Sequence, residues 1–344
     1  MRTTLTTALT TLLIAGAALL PASARADGPT SPNPAPTGLS ATFSDHGSFG
    51  LQLMDAPTAE ANDPRAKEYI IDNLQPGDVI HRRVELYSAG SSDLQASVYP
   101  DAATISGGSF NGDPGATASE LTTWISTSQN TVTIPAGSYA IDTVTIAVPK
   151  DAAPGERYGV IWAQVTRPGA NGTLTTVNRV GIRIYLNVGG DNPSASSLAV
   201  DTLTAGRNAK GQDTVKALVH NTGGRALDLN GTVTLTSVSG SLSAGPYEVE
   251  LGTTLAPGQT EPVTAVIPGQ IPNGPWTATV ELRSGLLDQT YAGKITFPNA
   301  PGAAAAVAAY VVGRRSHTGL ITGAAAGLVM LGAVAVPVAR RRRR

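Results

Sequence analysis

The strongest signal along the chain is alternation. Val180, Ile182, Ile184, Leu186 and Val188 are apolar, with Gly181, Arg183, Tyr185 and Asn187 between them. A period of two over this stretch predicts a strand with one face buried. Val144, Ile146 and Val148 repeat the pattern, as do Leu94, Ala96 and Val98. Further along, Val215, Ala217 and Val219 alternate, then Trp276, Ala278, Val280 and Leu282, then Tyr291, Gly293, Ile295 and Phe297. Pro76-Gly77, Pro154-Gly155, Pro257-Gly258, Pro135-Ala136-Gly137 and Asn273-Gly274-Pro275 punctuate the runs. Many short strands between such turns predict an all-β chain built as antiparallel β-sandwiches. One short helix is predicted where Thr117 and Glu120 form a capping box and Leu121 and Trp124 face inward.

A polar Gly/Pro stretch, Gly189-Gly190-Asp191-Asn192-Pro193-Ser194, interrupts the strands. It divides the body into two tandem Ig-like β-sandwiches at 40–189 and 196–298, with a linker at 190–195. A Pro-rich, disordered lead at 27–39 precedes them, and an Ala-rich stalk at 299–317 follows.

Two apolar runs lie outside the body. The first, Leu5 through Leu20, follows Arg2 and ends at Pro21. Small residues at Ala24 and Ala26 then provide cleavage positions, so 1–26 reads as a signal peptide, cut at one of the two. The second, 318–339, holds no charge and is followed by Arg340 to Arg344. As a helix it would measure about 33 Å, enough to cross a bilayer. The arginine cluster predicts a cytoplasmic tail and an extracellular body, a single-pass cell-membrane protein with 340–344 inside. No LPxTG-like pentapeptide precedes this run, so retention in the membrane is expected rather than linkage to a wall. Gly319, Gly323 and Gly327 share one helical face that would allow two such helices to pack.

Composition narrows the chemistry. Cysteine is absent from the 344 residues, which excludes disulfides, thiol catalysis, Cys-ligated zinc and Fe–S clusters. The body between the apolar runs carries all 25 acidic residues and is net acidic, which argues against nucleic acid as a partner. No Gly-x-Ser-x-Gly elbow, His-Glu-x-x-His, P-loop, dinucleotide fingerprint or calcium loop occurs. The four histidines, His46, His81, His220 and His317, are scattered. A non-enzymatic protein with no metal or cofactor is expected.

Candidate ligand contacts are Asp63 and Arg65 in a polar loop, and Glu156 and Arg157 after the Pro154-Gly155 turn. Arg forks match carboxylates, so an exposed Arg65 would suit an anionic or carbohydrate ligand, while an internal Arg–carboxylate latch uses the same residues. Arg82 falls on the apolar face of its strand and calls for an internal partner. Trp124 and Trp162 alternate with apolar residues and read as core packing. Asn171 and Asn230 begin glycosylation-type triplets.

Several stretches in order resemble a known family. They are Phe49-Gly50-Leu51-Gln52-Leu53, Asp63-Pro64-Arg65-Ala66, Tyr69-Ile70-Ile71, Leu74-Gln75-Pro76-Gly77 and Arg82-Arg83-Val84-Glu85-Leu86. Glu120-Leu121 with Trp124-Ile125, Ile146-Ala147-Val148-Pro149, and Pro154 through Tyr158 with Ile161-Trp162-Ala163 follow. Together they resemble the peptidoglycan-binding domain of WxL-interacting proteins of actinobacterial surfaces. The second half, through His220-Asn221-Thr222-Gly223 and Leu255 to Thr260, resembles a generic bacterial adhesion-related Ig-like module. The resemblance implies a Gram-positive surface protein that binds peptidoglycan or a WxL-type or other surface protein, for adhesion or scaffolding. The alternatives are a tethered hydrolase using clustered carboxylates and a structural subunit of a membrane complex.

Overall fold

The computed structural model describes residues 39–43, 47–113, 115–168, 175–189, 194–250 and 252–312. The chain is all-β. The strands of the first half are β1 (Leu39–Phe43), β2 (Gly47–Leu53), β3 (Ile70–Leu74), β4 (Val79–Ser88), β5 (Leu94–Ser106), β6 (Ser109–Gly112), β7 (Ile125–Thr127), β8 (Thr131–Ile134), β9 (Tyr139–Ala147), β10 (Gly155–Pro168) and β11 (Thr175–Val188). Those of the second half are β12 (Leu198–Arg207), β13 (Asp213–Asn221), β14 (Leu227–Ser237), β15 (Ser243–Glu248), β16 (Thr253–Leu255), β17 (Thr260–Ile267), β18 (Trp276–Ser284), β19 (Leu287–Ile295), β20 (Gly302–Ala303), β21 (Val307–Ala308) and β22 (Tyr310–Val311). Helix is confined, among the described residues, to single 3-10 turns at Thr58–Glu60, Pro64–Lys67 and Leu121–Trp124.

In the first half, the sheet β1-β2-β4-β9-β7 faces the sheet β3-β11-β10-β5-β6, with β8 paired to β5. The alternating residues fill the space between. Val180, Ile182, Ile184, Leu186 and Val188 of β11 meet Val144 and Ile146 of β9 and Leu94, Ala96 and Val98 of β5 in one core. In the second half, β17-β13-β12 faces β15-β14-β18-β19, around a core that includes Val215, Ala217, Val219, Trp276, Val280 and Phe297. Burying one side chain in two is what period-two patterning dictates once both sheets are covered on one face only.

β3 is the exception to antiparallel pairing. It runs parallel to β11, from Ile70 beside Ile184 to Leu74 beside Val188. The chain enters through β2 in one sheet, crosses by the loop holding two 3-10 turns, and continues in the other sheet as β3. That crossing loop carries Asp63 and Arg65.

Three sequence expectations change. The Thr117–Glu120 capping box does not form: Glu120 pairs with Arg157, the Thr117 N–H donates to Asp101, and Ser119 and Thr122 bond each other reciprocally at the start of the turn Leu121–Trp124. Leu121 and Trp124 are buried. The described part of the Ala-rich segment, through Val312, is not a free stalk. It returns along the second sandwich as β20 and β21 on β12 and as β22 on β19. The expectation of a single-pass membrane protein is also corrected. Among the described residues no helix is long and apolar enough to cross a membrane. The run 318–339 with Gly319, Gly323 and Gly327, the tail 340–344, the segment 1–26 and Asn171 lie outside the described residues, as do 27–38 of the lead and 190–193 of the linker.

Candidate functional site

The loop before β3 is organised by its own sequence. Asp63 is the residue before a Pro-initiated turn, and its carboxylate accepts from the backbone N–H of Arg65 at 2.9 Å. Pro64 supplies the fixed φ that the first helical position favours. The same carboxylate accepts from the Arg65 guanidinium at 3.2 Å. Arg65 then spans to the second sandwich, donating to the Ala226 carbonyl at 3.1 Å and approaching Asp228 at 3.5 Å. Both Asp63 and Arg65 are buried, at 4% and 9% exposure, so the exposed guanidinium expected of Arg65 is instead a strut between the two halves. Burial lowers its pKa, but the charges of Asp63 and Asp228 outweigh burial and hold it up.

Asp228, near the start of β14, is the hub of this joint. It accepts from Arg183 at 3.0 Å, from the Tyr185 hydroxyl at 2.8 Å and from the Thr254 hydroxyl at 2.8 Å. Glu156, from β10, accepts from the backbone N–H of Ala226 and from the Tyr158 hydroxyl, each at 2.7 Å. Burial pushes the Glu156 carboxyl above its ordinary value, against the opposing effect of these donors. Arg225 reaches Glu60 at 3.4 Å, Gln259 donates to the Ile105 carbonyl, and Thr254 N–H donates to the Gly108 carbonyl. Between these polar groups lies an apolar cluster of Ala66, Ile71, Ile105, Tyr185 and Ala226, with Tyr69, Phe110 and Tyr158 packed on it. The Arg183 guanidinium lies over Phe110 and Tyr69 at 4.9 and 5.3 Å from the ring centroids. Charge pairs and aromatic packing together weld the halves.

Of the four candidate ligand contacts, the structure brings Asp63, Arg65 and Glu156 together inside this joint. Arg157 points elsewhere. It pairs bidentately with Glu120 at 3.0 Å and lies 4.8 Å from the Trp124 ring centroid. Arg82 takes Asp72, on β3 of the facing sheet, as its partner. Arg83, on the outer face, pairs with Asp55; that hydrogen bond holds the Asp55 carboxyl below its usual range.

A second feature extends from the joint along the outer face of β10 and β11. Register places Tyr158 beside Tyr185, Val160 beside Arg183, Trp162 beside Gly181, and Gln164 beside Arg179. On the other side of β10, Trp162 pairs with Tyr99 of β5. Trp162 is thus on the outer face rather than in the core, correcting the reading of it as core packing. Gly181 is what allows this. A Cβ at 181 would lie 2.6 Å from the indole, so the ring occupies space that a side chain there would fill. The indole N–H donates to the Asp113 carbonyl at 3.2 Å. Gln164 accepts from both Tyr99 and Arg179. The result is a half-exposed row of Tyr99, Trp162 and Arg179, ending at exposed Val177.

The edge of β11 completes this surface. β10 pairs with all of β11, but on the other side only Ile184–Val188 have a strand neighbour, β3. From Thr175 to Arg183 that side carries no ladder among the described strands, though β1 comes within 8 Å between Cα atoms of β11. Sequence reasoning missed the row because Trp162 has apolar neighbours on both sides. The signal available was Gly181, the one position in the alternating run of β11 with no side chain.

A cleft of about 280 Å³ opens beside the joint, lined by Glu68, Tyr69, Arg183, Asp228, Asn230 and Thr254. Burial and the Asp228 charge raise the Glu68 carboxyl. Among the described residues no group of acidic or histidine side chains is arranged to hold a metal ion.

No protein-family model matches the chain. No curated protein matches it either. Solved structures do. The class 5 fimbriae chaperone CfaA is 13% identical, with a TM-score of 0.36 over 72% of this chain and 99% of that one. The CsuC–CsuE chaperone–tip adhesion subunit complex from Csu pili of Acinetobacter baumannii gives 14% identity and a TM-score of 0.37, covering 67% of this chain and 96% of that one. The CupB2 chaperone of Pseudomonas aeruginosa gives 11% identity and a TM-score of 0.35, covering 67% and 97%. These findings correct the resemblance to WxL-interacting proteins. No model of that family matches the chain; the three solved structures named above are of fimbrial chaperones. The Gram-positive wall setting, peptidoglycan binding and adhesion implied by that resemblance fall with it.

Proposed function

We propose that this chain is a non-enzymatic binding protein, two Ig-like sandwiches held as one body, whose partner is a segment of another protein. The observation that carries the reading is the surface formed by the edge of β11, unladdered among the described strands, and the adjacent row of Tyr99, Trp162 and Arg179. An extended segment laid along Thr175–Arg183 would gain backbone hydrogen bonds from the edge. Its side chains would meet an indole and a phenol already fixed in place, the residue types that dominate protein-binding energetics. The joint serves this by holding Arg183 at one end of the row. A hydrolase would need a free acid–base pair. The Asp228 carboxylate in the cleft is already engaged by Arg183, Tyr185 and Thr254.

A photo-crosslinking residue at Val177 tests this, in cells of the protein's own source. Adducts of discrete mass that are lost on protease treatment are expected. They should fall at least tenfold when Trp162→Ala is added in a chain that still unfolds cooperatively. Equal adducts from a crosslinker at Lys210, on the second sandwich, or adducts that survive protease, would refute a protein partner at this edge.

A further inference from the structure

The second sandwich is closed by its own last described residues. But for the short strands β20, β21 and β22, β12 would be the edge of one sheet and β19 of the other. The chain leaves β19, passes Phe297 and two prolines, Pro298 and Pro301, and crosses this open side. Gly302 lies beside Arg207 and Ala303 beside Gly206. Val307 then lies beside Leu203 and Ala308 beside Thr202, and Tyr310 lies beside Ala292. The strap therefore starts on one sheet and ends on the other.

Its hold is shallow in hydrogen bonds and broad in apolar fit. Each of its three strands is two residues long. Between and beside them Ala304 N–H donates to Ala205, Ala309 N–H to Asp201 and Val312 N–H to Thr290. Ala304, Val307 and Ala309 pack on the core of the second sandwich. Gly293 opposite keeps room for Val307: a Cβ there would lie 3.3 Å from a Val307 methyl. Removing the strap would open the seam between Leu203 and Gly293 and leave two sheet edges unpaired, a template for another strand.

We propose that this seam accepts the same segment, 302–312, from a second copy of the chain, so that two molecules join by exchanging straps. Every contact of the closed form recurs in the exchanged form, because the occupant is chemically identical. The two states then differ only in the conformation around Pro298–Pro301 and in the entropy of association. The partner is a small-residue strand with one β-branched anchor, and this chain supplies it. The inference is independent of the β11 surface.

The absence of native cysteine makes the test direct. Thr202 and Ala308 are register partners, and Ala308 is exposed. Thr202→Cys and Ala308→Cys are made as separate full-length chains, mixed at high concentration, incubated and oxidised. A covalent dimer containing one chain of each type is expected, rising with concentration and at least fivefold above that from Thr202→Cys mixed with Val238→Cys. The double variant Thr202→Cys/Ala308→Cys should close within one chain, and once closed should be barred from dimerising. Failure of the double variant to close would overturn the seating of the strap. Closure in the double variant, with no excess of mixed dimer over the control, would overturn exchange.

Discussion

Asp228 shows how much one side chain decides. Its carboxylate receives Arg183, Tyr185 and Thr254 and faces Arg65. Asp228→Ala leaves two largely buried guanidinium groups short of a counter-charge, which costs about 3 kcal/mol. Urea unfolding should show that loss, while Asp228→Asn, which retains an acceptor, should lose less. Glu156 carries a pH signature. Its folded pKa lies above the ordinary carboxylate value because of burial, so the folded state binds the proton more tightly than the unfolded state. The stability penalty is present above the folded pKa and is relieved as pH falls from there towards the unfolded value. Glu156→Gln keeps an acceptor for Ala226 and removes the charge. It should therefore flatten that part of the stability–pH curve relative to the parent, measured by denaturation between pH 4 and 8. An unchanged slope would mean that Glu156 is not the group responsible.

At the scale of elements, the β10–β11 hairpin was legible in outline and illegible in its outer face. Val180 through Val188 alternate so regularly that the buried face follows from the sequence alone. Which side of β10 holds Trp162 does not, because Val160 and Ile161 are both buried although they point to opposite faces. Register with β11 settles it by placing Gly181 under the indole. Gly181→Ala should displace the ring, at about 1–3 kcal/mol for a forced rearrangement in a packed site. The expected readout is a red shift in tryptophan emission together with weaker partner crosslinking at Val177. An unaltered spectrum would show that the indole does not rest on that glycine. The capping box at Thr117 failed for a related reason. Glu120 had a competing partner, Arg157, in direct contact at 3.0 Å but far off in sequence, and a local rule does not see such competitors.

For the whole molecule, the joint predicts coupling. Arg65, Glu156, Arg183 and Arg225 all reach across it or bond groups on its far side. Calorimetry on the parent should give one cooperative transition in which the two sandwiches melt together. The double variant Glu156→Ala/Asp228→Ala should resolve into two, and a single sharp peak in that variant would show that the apolar cluster alone suffices.

What the chain determined unaided is its periodicity. Alternation and Pro/Gly punctuation set the strands, their buried faces and the all-β class, because those depend on residues adjacent in sequence and on the two-residue repeat of an extended backbone. Asp63, Arg65 and Glu156 could equally be read as a ligand site or a latch. Only folding brought Ala226 and Asp228, some 160 residues later, against Arg65, and only folding laid the Ala-rich tail into the seam of β12 and β19. Such choices rest on which partners arrive from afar, and burial makes an unpaired charge costly enough that those partners, rather than the local pattern, decide where each polar side chain is used.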